Sequence, residues 1–87
     1  MPETALRIDK LLFFLRIAKS RSLAHGWAES GYIRLNGRRI EKGSAMVSVG
    51  DVITMPWGEA VVTFKLIVMP SRRGPSPEAK MCYQLLS

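Results

Sequence analysis

The stretch from Arg7 to Lys42 constrains the fold most, because its hydrophobic periodicity changes from helical to alternating. It reads RIDKLLFFLRIAKSRSLAHGWAESGYIRLNGRRIEK. In its first part the apolar residues recur every three or four positions, as on one helix face: Ile8, Leu11, Leu12, Leu15 and Ala18. This spacing predicts a first helix that contains all these positions.

A second helix is predicted after a short polar joint. Ser20 suits the N-cap, the helix is expected over Arg21 to Ser30, and Gly31 supplies a left-handed stop. Its inward stripe is expected to consist of Leu23, Ala24, Trp27 and Ala28. Gly26, which costs about 1 kcal/mol relative to alanine inside a helix, indicates either an irregular helix or a close helix contact.

The alternating part predicts a β-hairpin. Tyr32 to Leu35 alternates with Ile33 and Leu35 inward, and Asn36-Gly37 favours a type I′ turn before a returning strand over Arg38 to Ile40. Further on, Ala60 to Val68 predicts the longest strand, with these residues on one face: Val62, Phe64, Leu66 and Val68.

The two ends of the chain carry weaker signals. Met1 to Leu6 lacks periodicity and is expected to form a short arm. Pro77 followed by Glu78 suits the first turn of a short final helix that reaches Leu85 or Leu86.

Length and charge limit the classes of protein to which this chain can belong. With 87 residues the chain is expected to be one small domain over 1–87, with a core motif over 7–54 and a carboxyl-terminal strand and short helix over 60–86. Lys and Arg total 13 against 7 Asp and Glu, and most of the excess lies between Met1 and Lys42. A net charge of +6 suits a polyanion such as nucleic acid, with a membrane surface as the other candidate.

The inventory of reactive groups argues against catalysis. The chain has one His, one Cys and no paired carboxylates on a cleft-forming element, so neither a nucleophile with its base nor a metal site can be assembled. No phosphate-binding glycine loop is present either. We therefore expect no enzyme, no catalytic residue, no cofactor, no metal and no small-molecule substrate. The lone Cys82 indicates a reducing cytoplasm, and the apolar run Leu11 to Leu15 is too short to span a membrane.

The chain has more residues suited to binding an anion than residues suited to catalysis. Lys19 and Arg21 flank Ser20 at the start of the second helix, where free backbone N–H groups already favour a phosphate. Further candidate contacts lie in the same helix turns, near the first helix start and in the hairpin: Ser22, His25, Arg7, Lys10, Asn36, Arg38 and Arg39. Asp9 is expected to hold a neighbouring arginine or the helix start. Few aromatic residues near these positions are expected to be exposed, so recognition of folded RNA by shape is favoured over base stacking.

Four motifs in order resemble the RNA-binding domain named after ribosomal protein S4. They are RIDKLL, AKSRSLA, SGYIRLNGRRI and VSVGDVI. The tail segment RRGPSPEAKMCY is similar to one in the small ribosome-associated heat-shock proteins of the fifteen-kilodalton bacterial class. This resemblance implies an α+β fold: an αL motif of two helices packed on a small, mostly antiparallel sheet, with a short carboxyl-terminal helix.

The resemblance also implies a partner, namely ribosomal RNA of the large subunit, including stalled subunits that retain peptidyl-tRNA. Carried over by position, the RNA-facing set is Arg7, Lys10, Lys19, Ser20, Arg21, Ser22 and Asn36. His25 departs from the family, which often has arginine there, and relatives usually continue past the position of Ser87 into a basic extension. Functions of that extension are not carried over.

Three alternatives remain open at this level. Two short helices with a polar joint also occur in DNA-binding helix-turn-helix modules, although Arg21 to Ser30 offers few outward polar residues. A protein-interaction or chaperone-like module would use an apolar patch around Phe13, Phe14 and Trp27. An RNA-targeting appendage of a modifying enzyme would need a catalytic domain that this chain does not carry.

Overall fold

The structure is a computed structural model, which describes residues 5–86. Residues 5–86 form three helices: α1 (Ile8–Phe14), α2 (Arg21–Glu29) and α3 (Ser76–Lys80). The same residues form seven strands: β1 (Ala5–Arg7), β2 (Ile33–Leu35), β3 (Arg38–Ile40), β4 (Met46–Ser48), β5 (Val52–Trp57), β6 (Ala60–Leu66) and β7 (Tyr83–Leu85). Of the predicted arm, residues 1–4 lie outside the described part, while Ala5 and Leu6 belong to β1.

Strands pair in two antiparallel sheets. The larger sheet has the order β3-β2-β5-β6-β7, and β1 pairs with β4 in the smaller one. One hydrophobic cluster joins the helices to the inner face of the larger sheet; its largest fully buried members include Ile8, Leu11, Leu12, Ile33, Ile53, Phe64 and Leu66. The predicted α+β fold, with two helices on a small antiparallel sheet, is confirmed.

α1 is shorter than its hydrophobic pattern predicts. It ends at Phe14, and Arg16 adopts a left-handed φ of 62°, with its backbone N–H bonded to the Phe13 carbonyl at 3.1 Å. The N–H of Ile17 donates to the Leu12 carbonyl, also at 3.1 Å, which completes the paired bonds of a Schellman motif. Ala18 is buried, as the pattern predicts, but it lies beyond the helix; the tight turn keeps it directed at the core.

α2 begins at Arg21 as predicted and ends at Glu29, one residue before the predicted end at Ser30. The Ser20 hydroxyl accepts a bond from the Leu23 backbone N–H at 3.1 Å, and Gly31 follows the helix with a φ of 78°. The expected inward position of Leu23 is wrong, since its side chain is 41% exposed on the outer side of the first turn. The close helix contact considered at Gly26 is also wrong, because a side chain at that position would meet nothing within 4 Å.

The hairpin β2–β3 has the predicted turn. Asn36 and Gly37 both have positive φ, 53° and 83°, as a type I′ turn requires. The Asn36 side chain also ties the turn to the next strand: its oxygen accepts from the Val52 N–H at 2.8 Å and its amide donates to Asp51 at 3.2 Å.

The carboxyl-terminal prediction is partly wrong. α3 has proline in its first turn, as predicted, but it ends at Lys80, and Tyr83–Leu85 forms β7 beside β6. The strand pairs the open edge of β6, which a helix cannot do, and it places the Tyr83 ring 5.2 Å from that of Phe64. Val68 lies beyond β6 and is 54% exposed, so its expected place on the inward face is also wrong.

The loop before α3 is hydrogen-bonded to the carboxyl end of α1 through Arg73 and Gly74. The guanidinium of Arg73 donates to the Phe13 carbonyl at 3.0 Å and stacks 4.6 Å above the centre of the Phe13 ring. Arg16 donates in return to the Gly74 carbonyl. These bonds satisfy a carbonyl at the carboxyl end of α1 and hold the basic loop in place.

Candidate nucleic-acid interface

A buried aspartate organises the cations where the two main helices begin. Asp9 is 3% exposed, and its carboxylate accepts two bonds from the Arg7 guanidinium, at 2.9 and 3.2 Å. The Lys10 backbone N–H donates to it at 2.7 Å. Arg21, from the first turn of α2, brings its Nη2 to 3.7 Å from the same carboxylate. Arg7 and Arg21 therefore converge from two different elements, and the expectation that Asp9 holds a neighbouring arginine is confirmed.

The electrostatics of Asp9 follow from these contacts. Burial by itself would raise the pKa of the Asp9 carboxyl, but hydrogen bonds from Arg7, His25 and the Lys10 N–H act in the opposite direction. The net result is a pKa below the ordinary value of 3.8. Asp9 is thus a carboxylate at neutral pH; it holds the Arg7 guanidinium by two hydrogen bonds and offsets the repulsion between Arg7 and Arg21.

His25 extends this cluster along α2. Its Nδ1 lies 3.2 Å from the Asp9 carboxylate, and its Nε2 lies 3.8 Å from the carboxylate of Glu29, one turn further on. About half of the His25 side chain is exposed. A histidine here therefore bridges two carboxylates and still reaches the surface.

The segment between β3 and β4 closes the cluster from the sheet side. The N–H of Gly43 donates to Glu29 at 2.8 Å, and its carbonyl accepts from the Asp9 N–H at 3.2 Å. A side chain at position 43 would collide with the His25 ring. Glycine is needed here because the backbone runs against an imidazole.

We call the surface formed by Arg7, Asp9, Lys19, Ser20, Arg21, Ser22 and His25 the helix-start surface. Asp9, Arg21, Ser22 and His25 line a shallow depression of about 280 Å³. Lys19 and Ser20 directly precede α2 and are exposed. Within residues 5–86 Lys19 forms no ion pair, so its ammonium is available to an anion. Of the two predicted cations at the second helix start, Arg21 therefore lies next to Arg7 at Asp9, and Lys19 is exposed two residues before Arg21.

Lys10 points elsewhere. Its Nζ lies 5.4 Å from the centre of the Phe14 ring, further along α1, so it does not share the contact that Arg7 makes. The sequence spacing predicts both residues on one helix face, but Arg7 is the N-cap of α1 rather than part of it.

The hairpin cations are placed by β3. Arg38 is exposed and makes no ion pair within the described residues. Arg39 lies over Gly31, and its Nε is 3.5 Å from Glu41. Asn36 has its amide engaged in the turn, so its clearest role is to shape the hairpin that presents Arg38.

Two residues that support the helix-start surface, Glu29 and Gly43, were not predicted from the sequence. Glu29 and Gly43 lie far apart in the sequence and neither belongs to a charged motif, yet their hydrogen bond joins α2 to the segment after β3. From the sequence, the glycine in Lys42-Gly43-Ser44 indicates only a break in the strand pattern. No sequence signal identifies its partner, because the pairing arises from how the sheet folds back on the helices.

The described part of the chain contains neither a metal-binding cluster nor a membrane-spanning helix. Residues 5–86 contain no group of three or more His, Cys, Asp or Glu side chains that could hold a metal ion. None of the helices described there is long and apolar enough to cross a membrane.

The fold and the helix-start surface define a class. The family model described as the S4 domain matches residues 6–53, and the chain belongs to the S4 domain family. The match covers both main helices, the hairpin and the small sheet. Within this family the chain is similar to heat shock protein 15, so the predicted resemblance is confirmed. The Heat shock protein 15 homolog of Haemophilus influenzae is 36% identical over 84 residues, which are 97% of this chain and 63% of that protein.

Two further similarities agree with this placement. The chain is 38% identical over 61 residues to the RQC P-site tRNA stabilizing factor of Bacillus subtilis, covering 70% of each protein. The trimeric structure of Vibrio cholerae heat shock protein 15 matches with a TM-score of 0.89 and 34% identity, over 95% of this chain and 83% of that one. The chain thus spans under two thirds of the Haemophilus relative but most of the Vibrio structure.

Proposed function

We propose that this protein binds structured RNA through the helix-start surface and the hairpin, and that its partner is ribosomal RNA of the large subunit. The role would be ribosome-associated and concerned with stress or rescue, in the cytoplasm, and it would be a binding role without catalysis. The observation that carries the proposal is the convergence of Arg7 and Arg21 on Asp9 next to the exposed Lys19.

The physical basis is phosphate recognition. The first N–H groups of α2 have no intrahelical partner, and the Ser20 hydroxyl satisfies only that of Leu23. Lys19 and Arg21 add positive charge at the same end of the helix, so a phosphate there gains both charge and hydrogen bonds. Because two hydrogen bonds to Asp9 hold the Arg7 guanidinium, little of its side-chain entropy is lost when RNA binds.

Selectivity for folded RNA would come from shape. The hairpin turn is rigid, since the Asn36 side chain is bonded to β5, and Arg38 directly follows the turn as an exposed residue of β3. A fixed distance between two cationic elements matches a fixed spacing of phosphates in folded RNA. The similarity to a P-site tRNA stabilizing factor and to heat shock protein 15 supports a ribosomal partner.

Two of the three alternative functions are less well supported by the structure. An apolar docking patch around Phe13, Phe14 and Trp27 would need these side chains exposed, and all three are half-buried. A helix-turn-helix reader needs polar side chains along an exposed helix, but α2 directs His25 and Glu29 into contacts with its own fold.

The proposal is tested by neutralising the helix-start surface. The double variant Lys19→Gln/Arg21→Gln is expected to bind large-subunit RNA at least about tenfold more weakly and to reduce the slope of log affinity against log salt by about 1.5. Glutamine is preferred to glutamate at position 21, because a new carboxylate would face Asp9. Gel-shift titrations across several salt concentrations measure both effects.

A matched control removes the same charge elsewhere. Arg72→Gln/Lys80→Gln neutralises two exposed cations at α3 and the loop before it, and it is expected to retain affinity within about threefold. Equal losses in the two double variants would refute the assigned surface. Sedimentation with separated ribosomal subunits tests the partner: the protein should travel with the large subunit, and travel with the small subunit alone would contradict the proposal.

A further inference from the structure

The outer face of the five-stranded sheet, which points away from the helices, is not covered by any described part of the chain. The inner face is buried through Ile33, Ile53, Met55, Phe64 and Leu66. On the outer face, by contrast, Arg34, Pro56, Val61 and Lys65 are exposed, and Thr54 and Thr63 are half-buried. This outer sheet face lies on the opposite side of the sheet from α1 and α2.

Strand register arranges this face in two rows. The first row is polar and cationic: Arg39 pairs with Arg34, Arg34 with Thr54, and Thr54 with Thr63. The Thr54 and Thr63 hydroxyls are 3.2 Å apart. In the second row Pro56 pairs with Val61, and Tyr32 lies two residues before Arg34. Residues two apart in a strand are about 7 Å apart on one face, so the rows are neighbours.

Tyr32, next to the hairpin, is an exposed aromatic ring with open space beside it, contrary to the expectation that aromatic residues near the candidate contacts would be buried. It is 62% exposed. A cleft of about 440 Å³, lined by Tyr32, Arg34, Thr54, Pro56 and Val61, among others, lies toward the cationic row. A second cleft of about 230 Å³, lined by Trp27, Tyr32, Pro56 and Gly58, among others, also borders this ring. A planar group could therefore stack on Tyr32 without displacing a protein side chain.

The charge of the first row is incompletely balanced. Arg34 and Arg39 are cross-strand partners, and like charges directly opposite each other in a sheet are destabilising. Arg39 has Glu41 at 3.5 Å, whereas Arg34 has no carboxylate partner within residues 5–86. An anion between the two guanidiniums would relieve this repulsion.

We propose that the outer sheet face is a second nucleic-acid site, which binds a single-stranded ribonucleotide segment. One base would stack on Tyr32 over the apolar row, and the adjoining phosphate would lie between Arg34 and Arg39. Base stacking on an exposed sheet aromatic combined with arginine contacts to the backbone suits single strands of any sequence. The site shares the hairpin strands β2 and β3 with the proposed interface, but it is distinct from the helix-start surface and is tested without assuming that surface.

The experiment is a fluorescence anisotropy titration of a labelled oligouridylate of about four nucleotides at low salt. Tyr32→Ala is expected to weaken binding at least about fivefold, while Tyr32→Phe, which keeps the ring, stays within about twofold of the unsubstituted protein. Arg34→Gln/Arg39→Gln is expected to weaken binding and to lower the salt slope by about 1.4. Lys80→Gln, which removes an exposed cation on α3, serves as the charge control and is expected to have little effect.

Two probes separate stacking from charge alone. An abasic ribose-phosphate oligomer of equal length should bind the unsubstituted protein no better than Tyr32→Ala binds the oligouridylate. A polyglutamate peptide of equal charge should compete poorly with the oligouridylate. Unchanged affinity in both Tyr32→Ala and Arg34→Gln/Arg39→Gln would overturn the proposal, as would equal competition by the peptide.

The same titration distinguishes the two surfaces. Lys19→Gln/Arg21→Gln should leave oligouridylate binding within about threefold of the unsubstituted protein. Loss of oligouridylate binding in that variant, with none in the Tyr32 or Arg34/Arg39 variants, would assign all RNA contacts to the helix-start surface. Urea unfolding midpoints for each variant verify that the fold persists, which the exposure of Tyr32 favours.

Discussion

Replacing Asp9 by asparagine tests whether this buried carboxylate holds the helix-start surface together. Asparagine has nearly the same shape, but it carries no charge and turns an amide toward donors. The Asp9 carboxylate accepts two bonds from Arg7, one from the Lys10 N–H and a contact from His25. Hydrogen bonds to charged groups contribute about 1.5 to 3 kcal/mol each. Since the Arg7 side chain is 42% exposed, its share is discounted for solvent screening.

We therefore expect Asp9→Asn to lower the free energy of unfolding by about 2 to 3 kcal/mol near pH 7. The deficit should depend on pH in a defined direction. Because the pKa of Asp9 is lowered in the folded protein, its stabilising contribution is fully present above the ordinary value of 3.8. It is lost as the pH falls through the lower, folded value, so the difference between the two proteins should shrink in that range.

Urea unfolding followed by the fluorescence of Trp27 and Trp57, at about pH 7, 5 and 3, measures this difference. Glu59→Gln is the control, because Glu59 is exposed in the β5–β6 turn and forms no ion pair within the described residues. It should change stability by less than about 0.5 kcal/mol. A deficit for Asp9→Asn that is equally large at pH 3 and pH 7 would refute the reasoning, because it would then not arise from the charge.

Three further substitutions test individual contacts. Gly43→Ala should lower the free energy of unfolding by about 1 to 2 kcal/mol, because the new methyl group displaces the His25 ring. Thermal unfolding measures this loss of stability. Asn36→Ala should lower the free energy of unfolding in urea by about 2 kcal/mol, because alanine loses the side-chain bonds and disfavours a φ of 53°. Asn36→Gly should lower it by less, because glycine loses the same bonds but tolerates this φ. In urea unfolding, Arg73→Ala should lower the free energy of unfolding by about 1 to 2 kcal/mol, because it removes the contacts of Arg73 with Phe13. Arg72→Ala should lower it by less than about 1 kcal/mol, because the ion pair of Arg72 is exposed. Equal stability of Asn36→Ala and Asn36→Gly, or equal losses at Arg72 and Arg73, would contradict the assigned contacts.

The local elements are largely determined by the sequence, because their signals depend on neighbouring residues. Ser20 caps α2 and Gly31 ends it, since hydroxyl capping and left-handed glycine are properties of a few consecutive residues. Asn36-Gly37 likewise predicts its own turn. The motif order is also sufficient to predict the family and its α+β fold.

Only the tertiary structure decided which of these elements meet. Helical spacing continues through Ala18, but the chain turns at Arg16, whose left-handed conformation is supported by bonds to the loop before α3. The final segment from Tyr83 has no strong strand pattern, yet it becomes β7 because the edge of β6 is open. Gly43 meets His25 and Glu29 through the path of the backbone between distant elements. Contacts of this kind depend on where the whole chain places two surfaces, which no short stretch of sequence encodes.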